Sequence, residues 1–258
     1  MTTMIDEQFL MSLVSGLFVG GAAGYLGSLM VLKRMALVGD ALSHVALPGL
    51  GLALIYNINP FFGGFAFLIV GILLIAGIER ATRLPTEALV GVLFTASLAI
   101  GFLIIPEPEV LEALFGDITQ VDMFDTALSV VLSALVIVAA YLVYNRVVLS
   151  TISEDLARSQ GIQVGVLNLF YLLLVAAVVA LGIKAVGALL MGALVIVPAA
   201  AAKNFTSNLR GYSSLAALIG VVSSVGGIVL FGITGLHAGP LVILVAVAIF
   251  AVSVLAKR

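Results

Sequence analysis

Nine stretches of about 20 mostly apolar residues, separated by short polar or Gly/Pro-marked segments, dominate the sequence. A bilayer core of about 30 Å is crossed by roughly 20 helical residues, and lipid offers no partner to open backbone groups. Each stretch is therefore expected to be a transmembrane helix. The predicted spans are 9–32, 36–57, 61–78, 86–105, 126–149, 165–183, 185–202, 212–233 and 239–256.

The boundary between the sixth and seventh predicted spans, around Gly182, Ile183 and Lys184, allows two interpretations. If residues 165–202 form one broken or re-entrant helix, the chain has eight spans. The expected fold class is an all-α polytopic transmembrane helical bundle of about nine spans, forming a single transmembrane domain over residues 1–258.

The charge content supports this class and excludes others. Only 9% of the residues are charged, whereas a soluble domain carries roughly a quarter. The net charge of −2 shows no basic excess of the kind that binds nucleic acid. Because the chain has no cysteine, disulfides, thiolate metal sites and cysteine nucleophiles are excluded.

The basic residues predict the orientation, since Lys and Arg collect on the cytoplasmic side. With the N-terminus outside, ten of the eleven basic residues fall inside, and Lys184 alone falls outside. The ten are Lys33, Arg34, Arg80, Arg83, Arg146, Arg158, Lys203, Arg210, Lys257 and Arg258. We therefore expect a multi-pass membrane protein with its N-terminus outside.

The outer segment 107–125 carries six carboxylates and no basic residue. Clustered carboxylates raise the local concentration of cations, but they also simply keep a loop soluble. Both interpretations stay open. Asp6, at the N-terminus, is an acid on the same predicted side.

Glycines at positions 16, 20 and 24 recur every fourth residue in the first span. This small-xxx-small spacing lets two helices approach closely. The pattern predicts close packing within the chain, with a contact between subunits as the alternative.

Two ionisable residues, Asp40 and His44, fall inside the second span. Four residues apart, they share one helix face, and they lie about 9 Å and 15 Å along the helix from Arg34. A carboxylate with an imidazole suits a divalent first-row metal such as zinc or manganese. The alternative is that the two side chains only hydrogen-bond to each other or to a neighbouring helix. Pro48 leaves the His44 carbonyl without a helical partner and predicts a kink there.

Two further features concern ATP hydrolysis and the contact with a soluble partner. No GxxxxGK[ST] phosphate-binding loop is present, so the chain is not itself an ATPase of the P-loop type. Segment 151–163 is the longest polar stretch on the predicted cytoplasmic side. There, Thr151 or Ser153 can cap a short helix that has Glu154 and Asp155 in its first turn, and Gly161 can end it. Such a segment fits either docking on a soluble partner or a plain surface helix.

Five segments resemble segments of one protein family, and they occur in the same order along the chain. The run Arg34-Met-Ala-Leu-Val-Gly-Asp-Ala-Leu-Ser-His-Val-Ala-Leu-Pro-Gly49 is similar to the signature of permease subunits of zinc/manganese/iron-type ABC importers (ZnuB- and MntB-like). The others are 79–95, Leu114-Phe-Gly-Asp117, Glu154-Asp-Leu-Ala-Arg-Ser-Gln-Gly-Ile162, and Val186-Gly-Ala-Leu-Leu with Val197-Pro-Ala-Ala200.

The resemblance implies a transport subunit that is not an enzyme and that lies, as a multi-pass protein, in a prokaryotic cytoplasmic (inner) membrane. Its implied partners are a second permease chain, identical or different, a cytoplasmic ATP-binding-cassette ATPase and an extracytoplasmic metal-binding protein. No cofactor is bound permanently, and the transported ion is Zn, Mn or Fe.

Position by position, Asp40 and His44 match the family's metal pathway. The segment with Glu154, Asp155, Ala157, Arg158 and Gly161 matches its ATPase-coupling helix. Near the C-terminus the sequence departs from the family and reads Leu236-His-Ala-Gly-Pro240. His237 there is either a possible outer metal contact or a solvated histidine.

The sequence therefore favours a permease subunit that conducts a divalent transition metal into the cytoplasm by alternating access. A stand-alone carrier or channel in which Asp40 and His44 relay protons is the main alternative. An intramembrane hydrolase is disfavoured, because neither HExxH nor GxSxG is present.

Overall fold

The computed structural model describes residues 7–82, 84, 86–117 and 121–256, which fold as a bundle of α-helices. In chain order these are α1 (Glu7–Leu32), α2 (Ala36–Val45), α3 (Leu47–Ile55), α4 (Pro60–Thr82), α5 (Thr86–Ile104), α6 (Glu107–Phe115), α7 (Met123–Ile152), α8 (Glu154–Ser159), α9 (Val164–Val186), α10 (Ala188–Phe205), α11 (Leu209–Thr234) and α12 (Ala238–Ala256). Asp6, Arg83, Lys257 and Arg258, used above for orientation, lie outside the described residues.

Seven helical segments within the described part of the chain are long and apolar enough to cross a membrane. They are Glu7–Leu32, Ala36–Ile55, Pro60–Thr82, Met123–Ile152, Val164–Lys184, Leu209–Thr234 and Ala238–Ala256. Two predicted spans, 86–105 and 185–202, fall on shorter apolar helices at Ala88–Ile104 and Leu190–Phe205. The prediction of an all-α membrane protein with many spans is confirmed.

The interruption between α9 and α10 lies at Gly187 rather than at Gly182–Lys184, where the sequence placed it. Gly187 has φ = +89°, a backbone conformation that a side chain disfavours. A Cβ at this position would also overlap the Leu114 carbonyl oxygen at the end of α6. Gly182 remains helical instead and packs against the Met191 side chain.

The first helix is central, because α1 packs on α7, α9, α10 and α11. Its glycines meet α11 backbone to backbone. A Cβ on Gly20 would lie 2.6 Å from the Gly220 carbonyl oxygen, and one on Gly24 would lie 2.8 Å from the Ala216 carbonyl carbon. The prediction of close packing within the chain is confirmed.

The bundle has two distinct ends. At the end that we call the α8 end, α8 follows α7 and precedes α9, and the Lys33 ammonium donates to the side-chain oxygen of Asn168 in α9. At the opposite end, the α6 end, the Asp117 amide donates to the Lys184 carbonyl at 3.0 Å.

Candidate metal-binding site

The helix that carries Asp40 and His44 is only ten residues long. α2 packs against α5, α9 and α10, ends at Val45, and is followed after Ala46 by α3. Pro48 lies in the first turn of α3, where its missing N–H costs nothing. The second predicted span, 36–57, is thus two short helices joined at Ala46.

The His44 ring is oriented by the backbone of its own helix. Its Nδ1 lies 3.0 Å from the Asp40 carbonyl oxygen and 3.3 Å from the Ser43 hydroxyl, which itself donates to that same carbonyl at 2.6 Å. A carbonyl oxygen only accepts, so Nδ1 carries the proton. The lone pair is then on Nε2. Metal-ligating histidines typically have this arrangement, in which one ring N–H binds a backbone carbonyl and the other nitrogen faces the ion.

Asp40 borders a cavity of ≈ 300 Å³ between α2 and α5. The opposite wall includes Val90, Gly91 and Phe94. Behind Asp40, a Cβ on Gly192 of α10 would overlap the Asp40 carboxylate. The carboxylate is therefore held between α10 and an open cavity.

His44 lies deeper than Asp40. It is 5% exposed and contacts the Phe94 ring edge-on, with centroids 4.9 Å apart. Within the described residues, no group of three or more His, Cys, Asp or Glu side chains is placed to hold a metal ion. One chain therefore offers one carboxylate and one imidazole, which is less than the four ligands that zinc prefers.

His237 lies apart from this pair. It is exposed in the short segment between α11 and α12, at the α6 end, and stacks on Phe115 with centroids 6.2 Å apart. Among the residues that the structure describes, it does not form a potential metal-binding cluster with Asp40 and His44.

The predicted coupling segment forms α8. Of the two predicted caps, Ser153 is used: its hydroxyl oxygen accepts from the Leu156 amide at 3.2 Å. Glu154 and Arg158 form an exposed ion pair of 3.2 Å, which contributes little stability. Ala157 of α8 is fully buried. Gly161, just after the end of α8, has φ = +78°.

Lys33, which was not among the predicted site residues, contacts α9 just before α2 begins. Lys33 lies between α1 and α2, over the Tyr171 ring with its Nζ 5.8 Å from the ring centroid. Burial lowers the pKa of the Lys33 ammonium, and the Glu154 carboxylate opposes that shift. A lysine at a helix boundary is too common a feature for the sequence to reveal its contacts with Asn168 and Tyr171.

The model of one protein family, described as the ABC 3 transport family, matches residues 6–257. The chain belongs to the ABC 3 transport family. With seven helical segments long enough to span among the residues that the structure describes, this ABC 3 protein is a multi-pass protein of the inner membrane.

Two curated relatives are each 30% identical to this ABC 3 protein. The manganese transport system membrane protein MntC of Listeria innocua matches over 248 residues, 95% of this chain and 89% of that protein. The zinc transport system membrane protein TroC of Treponema pallidum matches over 268 residues, 98% of this chain and 90% of that protein.

A solved structure shares the fold of this ABC 3 protein. PsaBC from Streptococcus pneumoniae in complex with Fab superposes with a TM-score of 0.85 at 26% identity, covering 95% of this chain and 90% of that chain. The family resemblance of the sequence segments is thereby confirmed.

Proposed function

We propose that this chain is the permease subunit of an ATP-driven importer that carries a divalent transition metal, zinc, manganese or iron, into the cytoplasm. The observation that carries the proposal is the α2 pair: Asp40 borders an open cavity, and the His44 Nδ1 proton is fixed on the Asp40 carbonyl, so that Nε2 is free as a ligand. The names of the relatives, which specify manganese and zinc, agree with this donor pair.

The membrane topology that we propose has nine spans, with the N-terminus outside and one permease domain over residues 1–258. The α8 end is then cytoplasmic. The basic residues that the structure describes support this orientation, since Lys33, Arg80, Arg158 and Arg210 lie at helix ends on that side. The two shorter apolar helices complete the nine spans.

The metal path in this proposal lies between two permease chains. One chain supplies a carboxylate and an imidazole, and a second chain, identical or different, would double the ligand set to four. The metal is cargo rather than a cofactor, so its binding must be transient. Ligands on a short helix that can tilt meet that need.

Coupling to ATP hydrolysis is assigned to α8. The partner ATPase docks on Glu154, Asp155 and Arg158, which are exposed, while the buried Ala157 transmits movement into the bundle. α8 packs on α9, and α9 in turn packs on α2, which carries Asp40. In this proposal, movement of α8 is transmitted to α2 through α9. An extracytoplasmic binding protein delivers the metal at the α6 end, where His237 is a possible first contact.

The decisive experiment is metal uptake into proteoliposomes that contain the permease with its ATPase. Asp40→Ala and His44→Ala are each expected to abolish ATP-dependent uptake of radioactive manganese or zinc while the ATPase still co-purifies. Glu7→Gln, which removes an exposed carboxylate from the first turn of α1, is the matched control and should transport normally. Full uptake by both α2 variants would refute the assigned role. Uptake by the permease without any ATPase would instead favour a stand-alone carrier.

A further inference from the structure

A second cavity, of ≈ 350 Å³, lies at the α8 end between α1, α7 and α11. Both α7 and α11 pack on α1, and Tyr25 of α1 lines the cavity between them. The Tyr144 hydroxyl donates to the Leu209 carbonyl at 2.7 Å and so joins α7 to α11 beside it. The metal pair on α2 takes no part in this cavity.

The polar groups that line the cavity are suited to an anion. Arg210 is exposed, and no carboxylate of the described residues lies within 4.0 Å of its guanidinium. Tyr141, Asn145 and Ser214 add two hydroxyls and an amide, and no acidic residue is among the lining residues. A guanidinium with neighbouring hydroxyl and amide donors matches the oxygen atoms of a phosphate group.

The walls that lead away from these donors are apolar and uncovered. On α7, Val138 and Leu142 are 58% and 74% exposed; on α11, Leu218 and Val222 are 57% and 47% exposed. Each pair is spaced four residues apart and so lies on one face of its helix. Both pairs run from the donor groups towards the middle of helices that are long enough to span a membrane.

From this combination we infer that the cavity binds an anionic phospholipid. Arg210, with Tyr141, Asn145 and Ser214, holds the phosphate, and the acyl chains lie along the exposed apolar faces of α7 and α11. Tyrosines are favoured at this depth, where an apolar ring meets a polar headgroup. The inference depends on the chain's lying in a membrane and is independent of the metal that it carries.

The test is native mass spectrometry of the purified permease, alone and with its ATPase, after equilibration with phosphatidylglycerol. We expect Arg210→Gln to reduce the bound phosphatidylglycerol about tenfold, as the loss of one charge-assisted contact implies. Tyr141→Phe should reduce it less. The matched control is Arg146→Gln, which removes another exposed arginine of the same end that lines a different cleft.

A comparison of three ligands tests which part of the lipid the cavity recognises. Phosphatidylglycerol should bind best, diacylglycerol, which lacks the phosphate, should bind at least tenfold more weakly, and millimolar inorganic phosphate should not displace the lipid. Equal binding of diacylglycerol, or full displacement by inorganic phosphate, would overturn the assignment to a phospholipid. Unchanged binding in Arg210→Gln, or release of the lipid when the ATPase docks, would overturn it as well. If Arg210→Gln does not fold, Tyr141→Phe combined with Asn145→Leu makes the same test.

Discussion

Lys184 on α9 forms an ion pair with Asp125 in the first turn of α7, and Asn59 donates a hydrogen bond of 2.8 Å to the same carboxylate. Asp125 also closes a capping box with Asp122, whose side chain accepts from the Asp125 amide at 2.7 Å. The Asp125 side chain is 9% exposed, so it is nearly removed from solvent. Three separate parts of the chain are therefore fixed to one carboxylate at the α6 end.

Removing one partner of this pair should destabilise the fold more than removing both. Lys184→Met leaves the Asp125 charge buried and unpaired, which costs about 3 kcal/mol. In the double variant Lys184→Met with Asp125→Asn, the neutral amide still accepts from Asn59, so part of that loss should return. Thermal unfolding of the purified permease in detergent gives the comparison. A double variant less stable than Lys184→Met would contradict this account.

Gly192 should be required for transport because it makes room for the Asp40 carboxylate. In Gly192→Ala, the added methyl group overlaps Asp40 and must displace it or separate α2 from α10. We expect uptake to fall at least tenfold. Gly91→Ala is the control: it lines the same cavity from α5, and its added Cβ meets nothing within 4 Å. Normal uptake by Gly192→Ala, measured in the same proteoliposomes, would show that the carboxylate is free to move.

Gly24 should be indispensable for folding. Gly24→Ala drives a methyl group into the Ala216 carbonyl of α11, and because the obstacle is backbone, relief requires the helices to separate. A cost of about 3 kcal/mol or more is expected, at the upper end for overpacked cores. Gly77→Ala in α4, where nothing lies within 4 Å, should be neutral or slightly stabilising. Yield and thermal unfolding of the two variants test this difference.

Asp155 should contribute to assembly with the ATPase and not to folding. It is exposed on α8, so Asp155→Lys changes the surface charge without disturbing a buried contact. We expect less ATPase to co-purify with this variant while its unfolding temperature is unchanged. The charge reversal Glu7→Lys at the opposite end is the control and should retain the ATPase. Equal retention by Asp155→Lys would exclude this residue from the docking surface.

Hydropathy and helix-breaking residues predicted the ends of the long helices to within a few residues, but α6 was not predicted as a helix, and residues 36–57 were predicted as one kinked span rather than as α2 and α3. They failed at the boundary between α9 and α10, because the position of that break depends on a contact between Gly187 and α6, far away in sequence. The same limit applies to Lys184. As the one basic residue on the predicted outer side, it stood out, but nothing in a single sequence indicates Asp125, 59 residues away, as its partner.

The candidate site was predicted in part. Spacing alone brought Asp40 and His44 to one helix face, because both lie in one regular helix. The burial of His44 behind Phe94 and the space provided by Gly192 depend on the packing of α2 against its neighbours. The proton on the His44 Nδ1 is fixed by the Asp40 carbonyl of the same helix, through a ring orientation that spacing does not specify. Periodicity carries no information about such contacts.

The short length of α2 has a mechanical consequence. It begins after Arg34, which has φ = 60°, and ends before Ala46, so backbone rotation at two junctions can reorient it without breaking its internal hydrogen bonds. Asp40 and His44 would then turn together, because they belong to one unbroken rod. The distance between the two side chains then stays constant while their direction changes. The pair can therefore present the same two ligands to different sides of the bundle, while the closely packed helices α1 and α11 stay in place.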